Sequence, residues 1–320
     1  MTTERYLICT DLDRTLIPNG PQPEPPGARK RFAALTARPE ITLAYVSGRH
    51  RALIEEAIVS YRLPIPDFVI GDVGTTLYRI QAEPLPPAGA RLVPRDAWKL
   101  TWTQLDLWEA EIARDWAGHT HDELRGALRA VPTLRLQERG KQNRFKLSFY
   151  LPLYVEVDEL SAAVSKCLDA LGIRYRLVWS VDDVADIGLL DVLPERASKL
   201  HAIEYLMRLE NLALRDTVFC GDSGNDLEVL ASRVPAVLVA NSRPDVQDLA
   251  LELAEEAGTL QQLYVATGGY LGMNGNYAGG MLEGIVHYHP RIADWLQETP
   301  AGSVGSAGSA GSAGSDGAAA

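Results

Sequence analysis

The sequence predicts an α/β chain: a doubly wound, mostly parallel, Rossmann-like sheet core with an inserted α/β cap domain. Three observations predict it. Short apolar runs alternate with helical stretches in the first and last thirds of the chain, the pattern of parallel strands covered on both faces by helices. Several of these runs stop abruptly at polar clusters, as strands do where an open parallel sheet holds its ligand. A tryptophan-rich block of different character interrupts the alternation between them.

Taken in order, residues 5–10 form an apolar run ending at Asp11, and residues 41–46 form another ending at Ser47-Gly48-Arg49. Both read as buried strands, with helical stretches at 28–36 and 50–61 after them. Residues 68–70 and 75–78 read as two strands around the turn Gly71-Asp72-Val73-Gly74. Later strands fall at 188–193, 217–220 and 236–239, with helices at 199–210, 226–231 and 279–288. In the intervening block, residues 146–150 and 174–179 read as strands and 157–171 as an amphipathic helix. Consecutive prolines resist helix and central strand, so Pro84-Leu85-Pro86-Pro87 marks a linker. The expected division is residues 1–82 plus 187–295 as the catalytic core and 83–186 as an inserted cap that sets specificity. Trp98, Trp102, Trp108 and Trp116 are read as core side chains. Residues 300–320 repeat Ala, Gly and Ser, bury no apolar surface and read as a disordered tail.

Composition narrows the function. With 31 Lys and Arg against 42 Asp and Glu, the 320-residue chain carries a net charge of −11. That balance argues against nucleic acid and anionic membrane as partners, and a small anionic substrate then needs a locally positive pocket. The first apolar run is too short for a signal peptide or a membrane span, so a cytoplasmic location is expected. Cys9, Cys167 and Cys220 lack CxxC spacing and suggest neither a disulfide framework nor a zinc site. His119 and His121, like His287 and His289, lack further ligands and read as surface residues. The glycine-rich stretch 268–280 lacks dinucleotide or Walker spacing and reads as a loop before a helix.

The chemistry concentrates at the strand ends. Asp11-Leu12-Asp13-Arg14-Thr15 places two carboxylates two residues apart after a strand, a pattern that invites a hard dication such as Mg²⁺. One Asp can attack phosphorus and the other can handle the leaving-group proton. A solvated turn is the competing reading of this pair alone. Gly221-Asp222-Ser223-Gly224-Asn225-Asp226 follows a second strand and adds two acids on a turn of small residues. Acids at two separate strand ends favour a metal site. A phosphate facing them needs donors, the role given to Lys199 at a helix start and to Ser47 with Gly48 at a strand-to-helix turn.

In that order, DxDxT at 11–15, SGR at 47–49, Lys199 and GDSGND at 221–226 resemble the haloacid dehalogenase superfamily of phosphatases. The large insert resembles an α/β cap. Residues 74–78, 143–150, 191–194 and 278–288 are similar to the sucrose-6-phosphate phosphatase family, so the resemblance spans about residues 5–290. It implies that Asp11 is the nucleophile, Asp13 the general acid and then base, and Thr15 a supporting hydrogen bonder. It implies that Ser47 and Lys199 hold the phosphoryl group. It also implies that Asp11, Asp13 through its backbone carbonyl, and Asp222 bind Mg²⁺, supported by Asn225 and Asp226. Asn143 and Lys146, with Asp191 behind them, are the expected sugar contacts. Arg14 departs from the glycine frequent at its position and Ser47 from the commoner Thr. The expected activity is hydrolysis of sucrose 6-phosphate or another glycosyl-sugar phosphate such as mannosylfructose phosphate, with possible association with a sugar-phosphate synthase. A phosphomutase and a non-catalytic sugar-phosphate-binding module are the alternatives.

Overall fold

The structure, a computed structural model, describes residues 4–84, 98–182 and 185–297. In chain order its strands and helices are β1 (Tyr6–Thr10), α1 (Ala28–Thr36), β2 (Ile41–Val46), α2 (Arg51–Ser60), β3 (Phe68–Gly71), β4 (Thr76–Pro84), β5 (Trp98–Gln104) and α3 (Asp106–Ala113). Then follow α4 (His121–Ala127), β6 (Arg135–Leu136), β7 (Leu147–Leu151), α5 (Val157–Asp169), β8 (Tyr175–Asp182) and β9 (Ile187–Pro194). The chain continues through α6 (Lys199–Glu210), β10 (Thr217–Gly221), α7 (Leu227–Leu230), β11 (Ala236–Leu238), α8 (Pro244–Glu256), β12 (Leu263–Val265), α9 (Ala278–Tyr288) and α10 (Ile292–Gln297).

Eight strands form the core sheet in the order β12-β11-β10-β1-β2-β3-β4-β5, parallel from β12 to β3 and antiparallel through β4 and β5. Side chains alternate across a strand, so each face gathers every second residue. Leu7, Cys9, Ala44 and Val46 bury on one face with Ala202 and Leu206 of α6. Tyr6, Ile8, Leu43 and Tyr45 bury on the other with Phe32 of α1, Ile54 of α2 and Met281 of α9. This two-faced burial is why β1 and β2 read as unbroken apolar runs.

A separate antiparallel sheet, in the order β6-β7-β9-β8, forms the cap. Leu147, Phe149 and Leu151 of β7 and Leu190 and Val192 of β9 bury in the cluster that holds Leu124 of α4 and Val164 and Leu168 of α5. Lys146, Asp191, Val178 and Ser180 line a cavity instead.

Two strands lie across the boundaries expected from sequence. β5, within the expected insert, pairs with β4 and edges the core sheet. β9, expected with the core, pairs with β7 and β8 in the cap sheet. An apolar run specifies burial but not its partner, so the alternation of β9 does not identify its sheet. Trp108 and Trp116 are fully buried, as read. Residues 85–87 of the linker and the Ala/Gly/Ser tail lie outside the described residues. Among the described residues, no helix is long and apolar enough to cross a membrane.

Candidate active site

From β1 the chain winds outward to β2 and β3; from β10 it winds the opposite way to β11 and β12. β1 and β10 are neighbours, with Thr10 level with Cys220, so the sheet reverses its strand order between them. At such a reversal the connections leave in opposite directions and open a crevice at the carboxyl ends. Asp11 follows β1 and Asp222 follows β10, and the Asp11 N–H donates to the Cys220 carbonyl at 2.9 Å.

Asp11, Asp222 and Asp226 are all buried, each with a carboxylate oxygen within 4.8 Å of the others, a group that can hold a metal ion. Lys199, the first residue of α6, reaches into the group. Its Nζ donates to Asn225 Oδ1 and Asp226 Oδ1, both at 2.7 Å, and lies 3.3 Å from Asp11 Oδ1. The second oxygen of Asp226 accepts the backbone N–H groups of Asp222 and Ser223, both at 3.1 Å. Asp226 therefore shapes the turn and holds the lysine. A Cβ on Gly221 would lie 2.7 Å from the Asp226 carboxyl carbon, so only glycine lets that side chain fold back.

Burial raises the pKa of Asp11 well above the ordinary range, opposed by Lys199 and reinforced by Asp226 and Asp222. Burial, then Asp226, pushes Asp222 up to about 7 against the pull of Thr15 and Arg14. Burial would lower Lys199, but Asp11 and Asp226 hold it above an ordinary lysine and keep it charged. Three buried carboxylates face the Lys199 ammonium and, 3.5 Å from Asp222, the Arg14 guanidinium, an oxygen-only donor set that fits a hard dication such as Mg²⁺.

The remaining expected residues fall in different places. Asp13 is outside the buried acid group; its carboxylate receives Arg49 Nε at 2.7 Å, Arg49 Nη2 at 2.6 Å and Asn19 Nδ2 at 2.7 Å. Burial raises its pKa, but Arg49 and Asn19 outweigh that and hold it below the usual carboxylate range. Thr15, expected as a supporting hydrogen bonder, is buried, and its hydroxyl donates to Asp222 Oδ1 at 2.8 Å. The buried Ser47 hydroxyl accepts the Arg49 N–H at 3.2 Å, while Gly48 and Asn225 line the cavity. Lys146 also lines it, 3.7 Å from Asp72 and 3.6 Å from Asp191. Asn143 does not; its amide donates to Thr75 Oγ1 at 2.8 Å, tying the cap to the turn after β3.

The cavity between the acid group and the cap sheet has a volume of about 870 Å³. Its lining includes seven Lys or Arg and four Asp or Glu, a local positive excess in a chain of net charge −11. Sequence reasoning missed Asn19, Asn241 and the role of Arg49. Asn241 accepts the Tyr277 N–H at 2.7 Å and donates to the Arg14 carbonyl at 2.6 Å, clamping the loop after β1. No local motif marks an asparagine whose partners lie 36 and 227 positions away.

Comparison with known proteins agrees with this geometry. A HAD-like hydrolase of Nitrosococcus oceani, whose name gives no substrate, is 47% identical over 92% of this chain and 74% of its own. Tobacco sucrose-phosphatase 1 is 28% identical over 76% of this chain and 52% of its own, so the chain spans about half the length of that relative. Mannosylfructose-phosphate phosphatase of Agrobacterium fabrum is 27% identical over 76% of this chain and 86% of its own. The sucrose-phosphatase of Synechocystis, solved with sucrose and phosphate, shares the fold: TM-score 0.64 at 22% identity, covering 89% of this chain and 98% of that one. The model of the sucrose-6F-phosphate phosphohydrolase family matches residues 4–289, and the chain belongs to that family of HAD-like phosphohydrolases.

Proposed function

We propose that the chain is a Mg²⁺-dependent phosphatase of a glycosyl-sugar phosphate, with sucrose 6-phosphate the leading substrate. The observation that carries this reading is the meeting of Asp11, Lys199 and Asp222 below a basic cavity roofed by the cap. A volume of about 870 Å³ lies within the range of small-molecule sites and far exceeds what phosphate alone requires. The likeness to sucrose-phosphatases and to a mannosylfructose-phosphate phosphatase supports a disaccharide leaving group.

In this mechanism Asp11 attacks phosphorus in line, the bond from phosphorus to the sugar oxygen breaks, and Asp13 gives that oxygen its proton. Water then attacks the phospho-aspartate, Asp13 takes the water's proton, and phosphate leaves. Lys199 offsets charge on the transferring group; Asp11 and Asp222 would hold a Mg²⁺, which when bound would supply further charge neutralisation. Asp13 must leave Arg49 to act as an acid, because that pair favours its ionised form. Residues 105–194 act as the cap, with Lys146 and Asp191 facing the sugar. Association with a sugar-phosphate synthase is a further part of this reading, supported by a match to glucosylglycerol-phosphate synthase of Pseudomonas anguilliseptica over 30% of that protein.

The test is phosphate release, with and without Mg²⁺, from sucrose 6-phosphate, mannosylfructose phosphate, trehalose 6-phosphate and hexose phosphates. Preference for one disaccharide phosphate, lost by several orders of magnitude in Asp11→Asn, is the expected result. Release unchanged by Asp11→Asn would overturn the mechanism, and broad turnover of hexose phosphates would overturn the disaccharide assignment.

A further inference from the structure

We propose that Arg14 is a built-in counter-cation for Asp222, so that a divalent ion enters the site by displacing its guanidinium; this rests on the Mg²⁺ reading above. The position is forced. Arg14 has φ 58°, a left-handed conformation that costs a residue with a Cβ on the order of 1 kcal/mol. It is pinned from both sides: its N–H donates to Asn19 Oδ1 at 2.8 Å and its carbonyl accepts from Asn241 Nδ2 at 2.6 Å. With the backbone fixed, the side chain lies along the cavity wall, where Nη2 donates to the Asn241 carbonyl at 3.4 Å.

Nε then comes to rest 3.5 Å from Asp222 Oδ2, buried and without a hydrogen bond. The distance is short enough for strong attraction, yet the contact is not a formed hydrogen bond and is released easily. The two cations divide the acid group between them. Lys199 contacts Asp11 and Asp226, whereas among the described residues the Asp222 carboxylate contacts the Thr15 hydroxyl and Arg14. Asp222 is also the carboxylate whose backbone turn and Thr15 contact are complete without Arg14, so a dication can replace the guanidinium and leave the rest intact. A glycine here would relieve the backbone and leave Asp222 the Thr15 hydroxyl but no guanidinium. Arginine therefore sets the threshold for metal entry.

The experiment is Mg²⁺ binding by calorimetry in the absence of substrate, with Mn²⁺ binding followed by loss of the free-ion electron paramagnetic resonance signal. Arg14→Gln keeps the side-chain reach and the backbone constraint while removing the charge. It is expected to tighten both ions by about fivefold to tenfold, the scale of a partly screened ion pair. Arg14→Gly, which also relieves φ, should bind at least as tightly, and Arg14→Lys should return the affinity toward that of the parent. Arg14→Gln binding equal to or weaker than the parent overturns the proposal alone. Failure of the parent chain to bind either ion overturns the Mg²⁺ reading and this inference with it.

Discussion

Gly74 joins the two halves of the site through a single missing methyl group. It has φ 97°, and a Cβ there would lie 2.5 Å from the backbone of Ser198, the residue that caps α6 just before Lys199. Its carbonyl accepts the buried Trp108 indole N–H at 3.1 Å. Gly74→Ala meets both the forbidden φ and backbone that cannot yield, so a loss of about 2–4 kcal/mol is expected, with a fall in phosphate release. Urea denaturation checks it; parental stability would show that the turn relaxes without cost. At this scale the meeting of Asp11, Asp222 and Lys199 was legible, because two strand ends and a helix start are local signals that bring polar side chains to one edge of the sheet. The conformations of Arg14 and Val73, both at positive φ, were not, since such strain is imposed by distant hydrogen bonds.

Of the contacts between cap and core, two sets flank the cavity. On one side Asn143 meets Thr75 and Lys146 meets Asp72; on the other, Arg176 of β8 pairs with Glu228 of α7 at 2.8 Å along the cavity wall. The second pair is half-exposed, so it contributes at most about 1 kcal/mol to closure. Arg176→Ala or Glu228→Gln is expected to raise KM by about twofold to fivefold with kcat nearly unchanged, and exchanging the two charges should restore it. Steady-state kinetics decides; an unchanged KM in both variants would remove this pair from cap closure. Most expected elements formed with bounds within a residue or two, including α1 and α6, because their apolar spacing and flanking turns are local signals. Sheet membership of β5 and β9 depends on pairing partners far along the chain, which periodicity does not encode.

For the molecule as a whole, gathering buried acids that can hold a metal ion costs folding stability. Metal-free, Asp222 keeps its proton to about pH 7, above its ordinary value of 3.8. The folded state then binds more protons than the unfolded one between those limits, so stability falls as pH rises through that window, by roughly 4 kcal/mol. Thermal unfolding in chelator should therefore drop by about 5–10 °C between pH 5 and pH 8. Mg²⁺ should suppress that drop, and Asp222→Asn should shrink it, the raised pKa of Asp11 keeping the remainder. A midpoint in chelator that does not change with pH would contradict the buried charge. The alternation of apolar runs and helices determined a mostly parallel α/β core with a cap, and the motifs around Asp11, Lys199 and Asp222 marked side chains that meet in one buried group, because each of these signals is local in sequence. Tertiary structure alone decided that Asp13 rests on Arg49, that Thr15 serves Asp222, and that Asn143 ties the cap to the core without lining the cavity. Hydrogen bonds of that kind are chosen by which side chains folding brings within about 3 Å, and a linear pattern carries no distance between residues tens or hundreds of positions apart.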